Sequence, residues 1–294
     1  MKFGLLGPLE VTDGGRPVPI PSAKLRVLLA CLLLRAGELV TVDELAEAIW
    51  GDAAPPAHPR RVVQTYVSRL RQLLGGNGLI QSRHEGYVIA AAAGDVDVGR
   101  LELLLARARD AADAGDRHRE AAVLRQALRL WRGEPLADVP SETLHRDAVA
   151  RLTEQRLDAI CRRIDADLAL GRHAELISEL RTLTDRHPLR EQLWAQLMTA
   201  LYRCGRQADA LQAYHGVAGL LADELGVDPG ADLRALHQAI LTNDPALTVP
   251  PPAAGRGVVA EQFQLPLDVG DFVGRADLAR QIEQLLADDL RVVV

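Results

Sequence analysis

Between Ala53 and His84 the chain carries no Asp or Glu, while Arg60, Arg61, Arg69, Arg71 and Arg83 all fall inside. Within this stretch, Pro59 to Leu74 places apolar residues at 62, 63, 66, 67, 70, 73 and 74. That spacing predicts one buried face of a helix. Pro59 suits a first helical position, where its fixed φ fits and its missing N–H would be unpaired anyway. Gly75-Gly76 stops the helix. The opposite face then shows Arg61, Gln64, Thr65, Ser68, Arg71 and Gln72. Those side chains suit the acceptor edges of guanine, the mixed edges of adenine and the phosphate oxygens of DNA. A solvated basic face would carry the same residues, so the neighbouring elements decide between the two.

Ahead of this helix, Phe3 to Val11 reads as strand, break, strand, and Asp13-Gly14-Gly15 is a turn signal. Val18 and Ile20 alternate with prolines as in an edge strand. Ser22 is expected to cap a helix running through Leu34 and ended by Gly37. Thr41-Val42-Asp43-Glu44 predicts a capping box and a second helix, with Leu45, Ala48 and Ile49 inward. After the basic helix, Leu79 to Ser82 and Tyr87 to Ala90 read as strands, with Arg83-His84-Glu85-Gly86 as the hairpin tip. A small sheet, three helices and a β-hairpin make a winged helix-turn-helix. In that arrangement the third helix enters a major groove about 12 Å wide and the second braces it.

This order, with the Glu85-Gly86-Tyr87 close, resembles the output domains of OmpR-type response regulators over residues 1–92. The resemblance implies roles for matching positions. Arg61, Thr65, Ser68 and either Arg71 or Gln72 would face bases, with Gln64 on the same face. Arg60, Arg69, Lys24 and Arg83 would meet phosphates.

Charge is divided unevenly. Residues 1–94 hold 10 Lys+Arg against 8 Asp+Glu, and the rest hold 24 against 32. A weakly basic part on an acidic remainder fits a nucleic-acid reader joined to a protein-facing module. The 294 residues suffice for roughly two domains with their own cores. Cys31, Cys161 and Cys204 are far apart and odd in number, so core thiols are expected rather than a disulfide framework or a zinc site. The longest apolar run, Val27 to Leu34, is far below the ~20 residues of a membrane span. Phe3 to Leu9 is too short and broken for a signal peptide. A cytoplasmic, nucleoid-associated protein is expected.

From Asp95-Val96-Asp97, expected to cap the fourth helix, to Leu241 the pattern is helical throughout. Helices are predicted at 98–114, 117–132, 141–170, 173–186, 189–203, 206–224 and 230–241. Gly171-Arg172-His173-Ala174-Glu175 recurs as Gly205-Arg206-Gln207-Ala208-Asp209, 34 residues on. That is the period of tetratricopeptide repeats, whose stacked helix hairpins offer a concave surface to other proteins.

Several stretches resemble the bacterial transcriptional activator domain of the SARP/AfsR family of pathway-specific activators. They are Leu130 to Leu136, Gly171-Arg172-His173, His187 to Glu191, Ala200 to Ala208 and Glu224 to Pro229. The match runs over residues 95–245. It implies binding to direct repeats at promoters, in secondary-metabolite pathways, and recruitment of RNA polymerase holoenzyme. Repeats roughly 10–10.5 bp apart would put two recognition helices on one face of DNA, as a head-to-tail dimer.

Asn243 to Gly257 holds Pro250-Pro251-Pro252 and reads as a linker. Asp271 to Arg275 looks like the lead-in to the signal-transduction NTPase domain of larger family members. The phosphate-binding loop that would come next is absent before Val294, so a truncated chain is expected. Gly75-Gly76-Asn77-Gly78 lacks the Lys of such a loop. No catalytic constellation, metal spacing or cofactor motif stands out. The expected fold is mainly α with small β. A winged helix-turn-helix at 1–94 is succeeded by tetratricopeptide-like helices at 95–245, a linker at 246–270 and an NTPase start at 271–294. The main expectation is a DNA-binding activator. A protein-interaction adaptor with a degenerate winged helix is the alternative, and an NTPase fragment a distant third.

Overall fold

A computed structural model describes residues 1–247, apart from 52, 54 and 77. The N-terminal strands β1 (Lys2–Gly4), β2 (Glu10–Asp13) and β3 (Arg16–Pro17) form an antiparallel meander, with Phe3 opposite Val11. Helix α1 (Ala23–Leu34) comes next and buries Leu25 and every residue from Val27 to Leu33. A helix apolar on all sides belongs in the middle of a core. Ser22 stands at its N-cap, but its hydroxyl accepts no amide, contrary to the expected cap.

Helix α2 (Val42–Trp50) begins with the predicted capping box. The Thr41 hydroxyl accepts from the Glu44 amide at 3.2 Å, and the Glu44 carboxylate accepts from the Thr41 amide at 2.7 Å. Leu45, Ala48 and Ile49 are buried, as the pattern requires. Helix α3 (Pro59–Leu73) has its proline in the first turn and buries Val63, Val67 and Leu70. The buried stripe is narrower than the sequence pattern, because Val62 and Tyr66 are half-buried and Leu73 is exposed.

The wing has three strands, not two. Two-residue β4 (Val40–Thr41), ahead of α2, pairs with β6 (Gly86–Ile89), which pairs with β5 (Ile80–Ser82). Gly86 permits this: a Cβ there would lie 2.0 Å from the Val40 carbonyl oxygen. The Val42 amide also donates to the Glu85 carbonyl at 3.1 Å. The start of α2 is thereby fixed to the wing turn.

The remaining chain is helical: α4 (Asp97–Asp113), α5 (Arg117–Leu128), α6 (Glu142–Leu144), α7 (Ala150–Ala169), α8 (His173–Arg186), α9 (Glu191–Arg203), α10 (Gln207–Leu225) and α11 (Ala231–Leu241). Helix α4 packs on α5, α5 on α7, α8 on α9 and α9 on α10, so hairpins stack in sequence. Gly171 and Gly205, the two ends of the 34-residue repeat, take the same left-handed conformation, with φ of 81° and 75°. The helix expected at 141–170 is instead α6 and α7 joined by a π-helical turn, His145–Val149. Helix α5 stops at Leu128 rather than 132, because the segment after it turns back to the N-terminal sheet. There the Arg132 amide donates to Leu6 O at 2.7 Å and the Leu136 amide to Leu5 O at 3.1 Å.

Asp97 does not cap α4, contrary to expectation. Its buried carboxylate accepts from the Leu5 amide at 2.8 Å and the Leu6 amide at 2.9 Å. Ser141 Oγ donates to the Ala48 carbonyl at 2.7 Å, tying α6 to α2. One apolar core accordingly runs from Phe3 through α1, α4 and α5 to Ala159. A second core takes over from Leu157 to Ile240. The lead-in at 271–294 and the linker beyond residue 247 lie outside the described residues; before that, a 3-10 turn spans Pro245–Leu247.

Candidate nucleic-acid interface

Helix α3 packs on α1 and α2 through its buried stripe. Arg60, Arg61, Gln64, Thr65, Ser68, Arg69 and Gln72 are all exposed on its outer side. The steps of three and four residues put them on one continuous strip. Arg61 and Arg69 have no carboxylate partner among the described residues, so their guanidinium donors point to solvent unspent. The Thr65 hydroxyl donates to the Arg61 carbonyl at 2.9 Å, which leaves its lone pairs free to accept. Arg60 lies 3.9 Å from the Asp43 carboxylate, and both side chains are mostly exposed. A pair so solvated holds its arginine weakly.

Arg71 is placed differently. It is half-buried and reaches sideways to the wing. Its Nε donates to the Ile80 carbonyl at 2.9 Å, and a terminal nitrogen donates to Ser82 Oγ at 2.9 Å. Its guanidinium also lies 5.9 Å from the centroid of the Tyr87 ring. Burial pushes the Tyr87 hydroxyl pKa up, and the Arg71 charge partly offsets this. Of the two positions expected to alternate at the C-terminal end of the strip, Gln72 is the exposed one.

At the wing tip, the Arg83 amide donates to the Gly86 carbonyl at 2.8 Å, closing the turn. The Arg83 side chain is exposed and donates to Gln81 Oε1 at 2.7 Å. Arg60 and Gln64 of α3 line one open cleft of about 520 Å³ with Asp43 of α2 and His84 and Glu85 of the wing tip. The sequence places Asp43 in the capping box and His84 and Glu85 at the hairpin tip, but gives no sign that the three share a cleft with Arg60 and Gln64. Lys24 sits apart: its Nζ lies 5.5 Å from the centroid of the Trp50 ring, over the end of α2.

The start of α2 beside this cleft is stiffened by charge. Arg35 donates to Glu44 at 2.6 Å and to the Leu39 carbonyl at 3.0 Å. The Thr41 amide, the Thr41 hydroxyl and Arg35 together hold the Glu44 carboxyl below its usual range. The surface therefore combines one open, cationic helix face with a wing and a brace helix that are hydrogen-bonded to each other. Such a surface can insert a helix into a duplex groove and set the wing against the neighbouring backbone.

Comparison with known proteins agrees with this architecture. Residues 15–89 match the family described as "Transcriptional regulatory protein, C terminal", and residues 96–241 match the "Bacterial transcriptional activator domain". The regulatory protein AfsR of Streptomyces coelicolor is 44% identical over 98% of this chain, which spans 29% of that protein's length. A solved structure of Mycobacterium tuberculosis EmbR in complex with a low-affinity phosphopeptide superposes with a TM-score of 0.80, at 40% identity, covering 83% of this chain and 65% of that one. The regulatory protein DnrI of Streptomyces peucetius is 39% identical, over 84% of this chain and 94% of DnrI. With two matched regions in the same order and nearly the whole of DnrI covered, the chain belongs to the SARP/AfsR family of transcriptional regulators.

Proposed function

We propose that this chain is a sequence-specific DNA-binding activator of transcription, with a reader at 1–94 and a protein-facing helical part at 95–245. The observation that carries the reading is the exposed, acid-free outer face of α3, held between a wing and a brace helix. Arg61, Thr65, Ser68 and Gln72 read base edges, with Gln64 beside them. Arg60, Arg69, Lys24 and Arg83 neutralise phosphates. The operator is a pair of direct repeats roughly 10–10.5 bp apart, occupied head to tail by two copies. The bound dimer recruits RNA polymerase holoenzyme at promoters of secondary-metabolite genes. It works by binding alone, in the cytoplasm at the nucleoid. No described helix is long and apolar enough to cross a membrane.

Gel shifts with the full chain, on genomic fragments and on a scrambled control, test this reading across a salt series. Selective binding with a log–log salt slope of about −0.9 per phosphate contact is the expected result. Equal affinity for every fragment, or no binding at low salt, overturns it and favours an adaptor built on the helical part.

A further inference from the structure

The helical part carries a feature opposite in sign to α3. Between Arg206 and Arg234 there is no Lys or Arg, while Asp209, Asp223, Glu224, Asp228 and Asp232 all fall inside. Four of these acids lie within 223–232, around the loop from α10 to α11. That loop is drawn against the start of α9: the Gly230 amide donates to the Glu191 carboxylate at 2.7 Å. Between them lies an open groove of about 570 Å³, lined by Glu191, Gln192 and Ala195 on one side and by Gly230 to Leu233 on the other.

The chain just before each wall of the groove, outside its lining, exposes apolar side chains. Leu189 is 45% exposed, Leu225 55% and Val227 48%. These residues do not hang on loose chain. The Trp194 indole donates to the Pro188 carbonyl at 2.8 Å, and the Arg190 amide donates to the His187 carbonyl at 3.0 Å. Gly226, left-handed with φ 67°, ends α10, and the Val227 amide folds back to the Leu221 carbonyl at 3.3 Å. The loops are therefore held with their apolar side chains outward, which leaves water on hydrocarbon. Arg190, the residue before Glu191, is taken up by Glu154 and by Asp158, the latter at 2.6 Å. The groove lining then holds two carboxylates, Glu191 and Asp232, and no Lys or Arg, with Arg234 one residue beyond it.

We propose that this groove, together with the chain flanking it at 189 and 223–228, is a docking surface for an amphipathic helix of another protein, apolar on one face and rich in Lys and Arg at its margins. The apolar face would cover Leu189, Leu225 and Val227. The cations would meet Asp223, Glu224, Asp228 and Asp232. Charge complementarity selects this occupant over an acidic helix or a nucleic acid, both of which the carboxylates repel. The surface is separate from the α3 face, so DNA binding can fail while docking persists, and the reverse.

The test uses the full chain and a designed helical probe of about 16 residues, with Leu at i, i+3, i+4 and i+7 and Lys or Arg elsewhere. Anisotropy measures its affinity, and amide chemical shifts map its position. The expected result is salt-sensitive binding, with shifts concentrated at residues 189–195 and 223–233. A control probe with every Leu replaced by Ser binds weakly. The Leu225→Ser/Val227→Ser double variant, which changes only exposed residues, loses about tenfold or more in affinity while keeping its melting temperature and its DNA binding. Shifts scattered elsewhere, equal binding of the Ser control, or unchanged affinity of the double variant would each overturn the proposal.

Discussion

The Arg71 guanidinium donates to the backbone carbonyl of Ile80 at 2.9 Å, so a side chain of α3 carries the first strand of the wing hairpin. The second bond, to Ser82 Oγ, and the Tyr87 ring beneath leave the guanidinium little freedom to turn outward. Arg71→Ala is therefore expected to loosen the wing rather than erase one base preference. Hydrogen exchange should rise across residues 80–89. Stability should fall by about 1–3 kcal/mol, the usual cost of losing hydrogen bonds from a charged group. DNA affinity should drop alike for all sequences. Unchanged exchange in the wing, with a shifted base preference, would return Arg71 to the base-reading set.

Arg61 and Arg83 should separate readout from anchoring. Arg61 stands at the N-terminal end of the α3 strip with its guanidinium in solvent, where an arginine can take guanine in two hydrogen bonds. Arg61→Ala should cost about 1–3 kcal/mol on the best site and little on poor ones. Arg83→Ala should weaken every duplex by a similar factor and flatten the salt slope by about 0.9. Selection of bound fragments, compared with binding at two salt concentrations, distinguishes the two. The same loss pattern for both variants would contradict the assignment.

Asp97 closes the seam between the N-terminal sheet and the helical part. Asp97→Ala strands two buried amides, on Leu5 and Leu6, and removes a carboxylate 3.5 Å from Arg132. Each buried donor left unpaired costs about 1–3 kcal/mol, so a total of about 2–6 kcal/mol is expected. Because one core runs through this seam, urea unfolding should stay a single transition at a lower midpoint. A second, resolved transition would mean that the two parts fold independently.

What the sequence makes legible is what neighbours in the chain decide. The Thr41–Glu44 capping box spans four residues, and the Pro59 start and Gly75 stop of α3 are equally local. The glycines at 115, 171, 205 and 226 break the helices where left-handed turns occur, with φ between 67° and 81°. Long-range partners leave no such mark. Asp97 looks like a helix cap until Leu5 and Leu6, more than ninety residues away, come to it. Two-residue β4 is too short to show any period. Arg71 belongs by helical phase to the outer strip, yet the wing hairpin claims it. Nothing in the spacing of residues 189 to 232 foretells that the α8–α9 and α10–α11 loops meet at Glu191 and Gly230.

The three cysteines should react in a fixed order. Burial pushes the Cys31 thiol up to about 11, with Arg35 opposing and Glu44 adding slightly. Burial does the same to Cys161, also to about 11, despite the nearby Arg190. At pH 8 a thiol of that pKa is ionised in about one molecule in a thousand, and the thiolate is the reactive form. Cys204, half-exposed after α9, is not enclosed in this way. Iodoacetamide at pH 8 followed by peptide mass spectrometry should therefore modify Cys204 first, and Cys31 and Cys161 only when urea unfolds the chain. Since Cys31 lies in the first core and Cys161 in the second, their labelling against urea concentration reports each core separately. Coincident midpoints are expected from the shared seam at Leu152 to Ala159. Early release of Cys161 would show the α8–α11 end opening on its own.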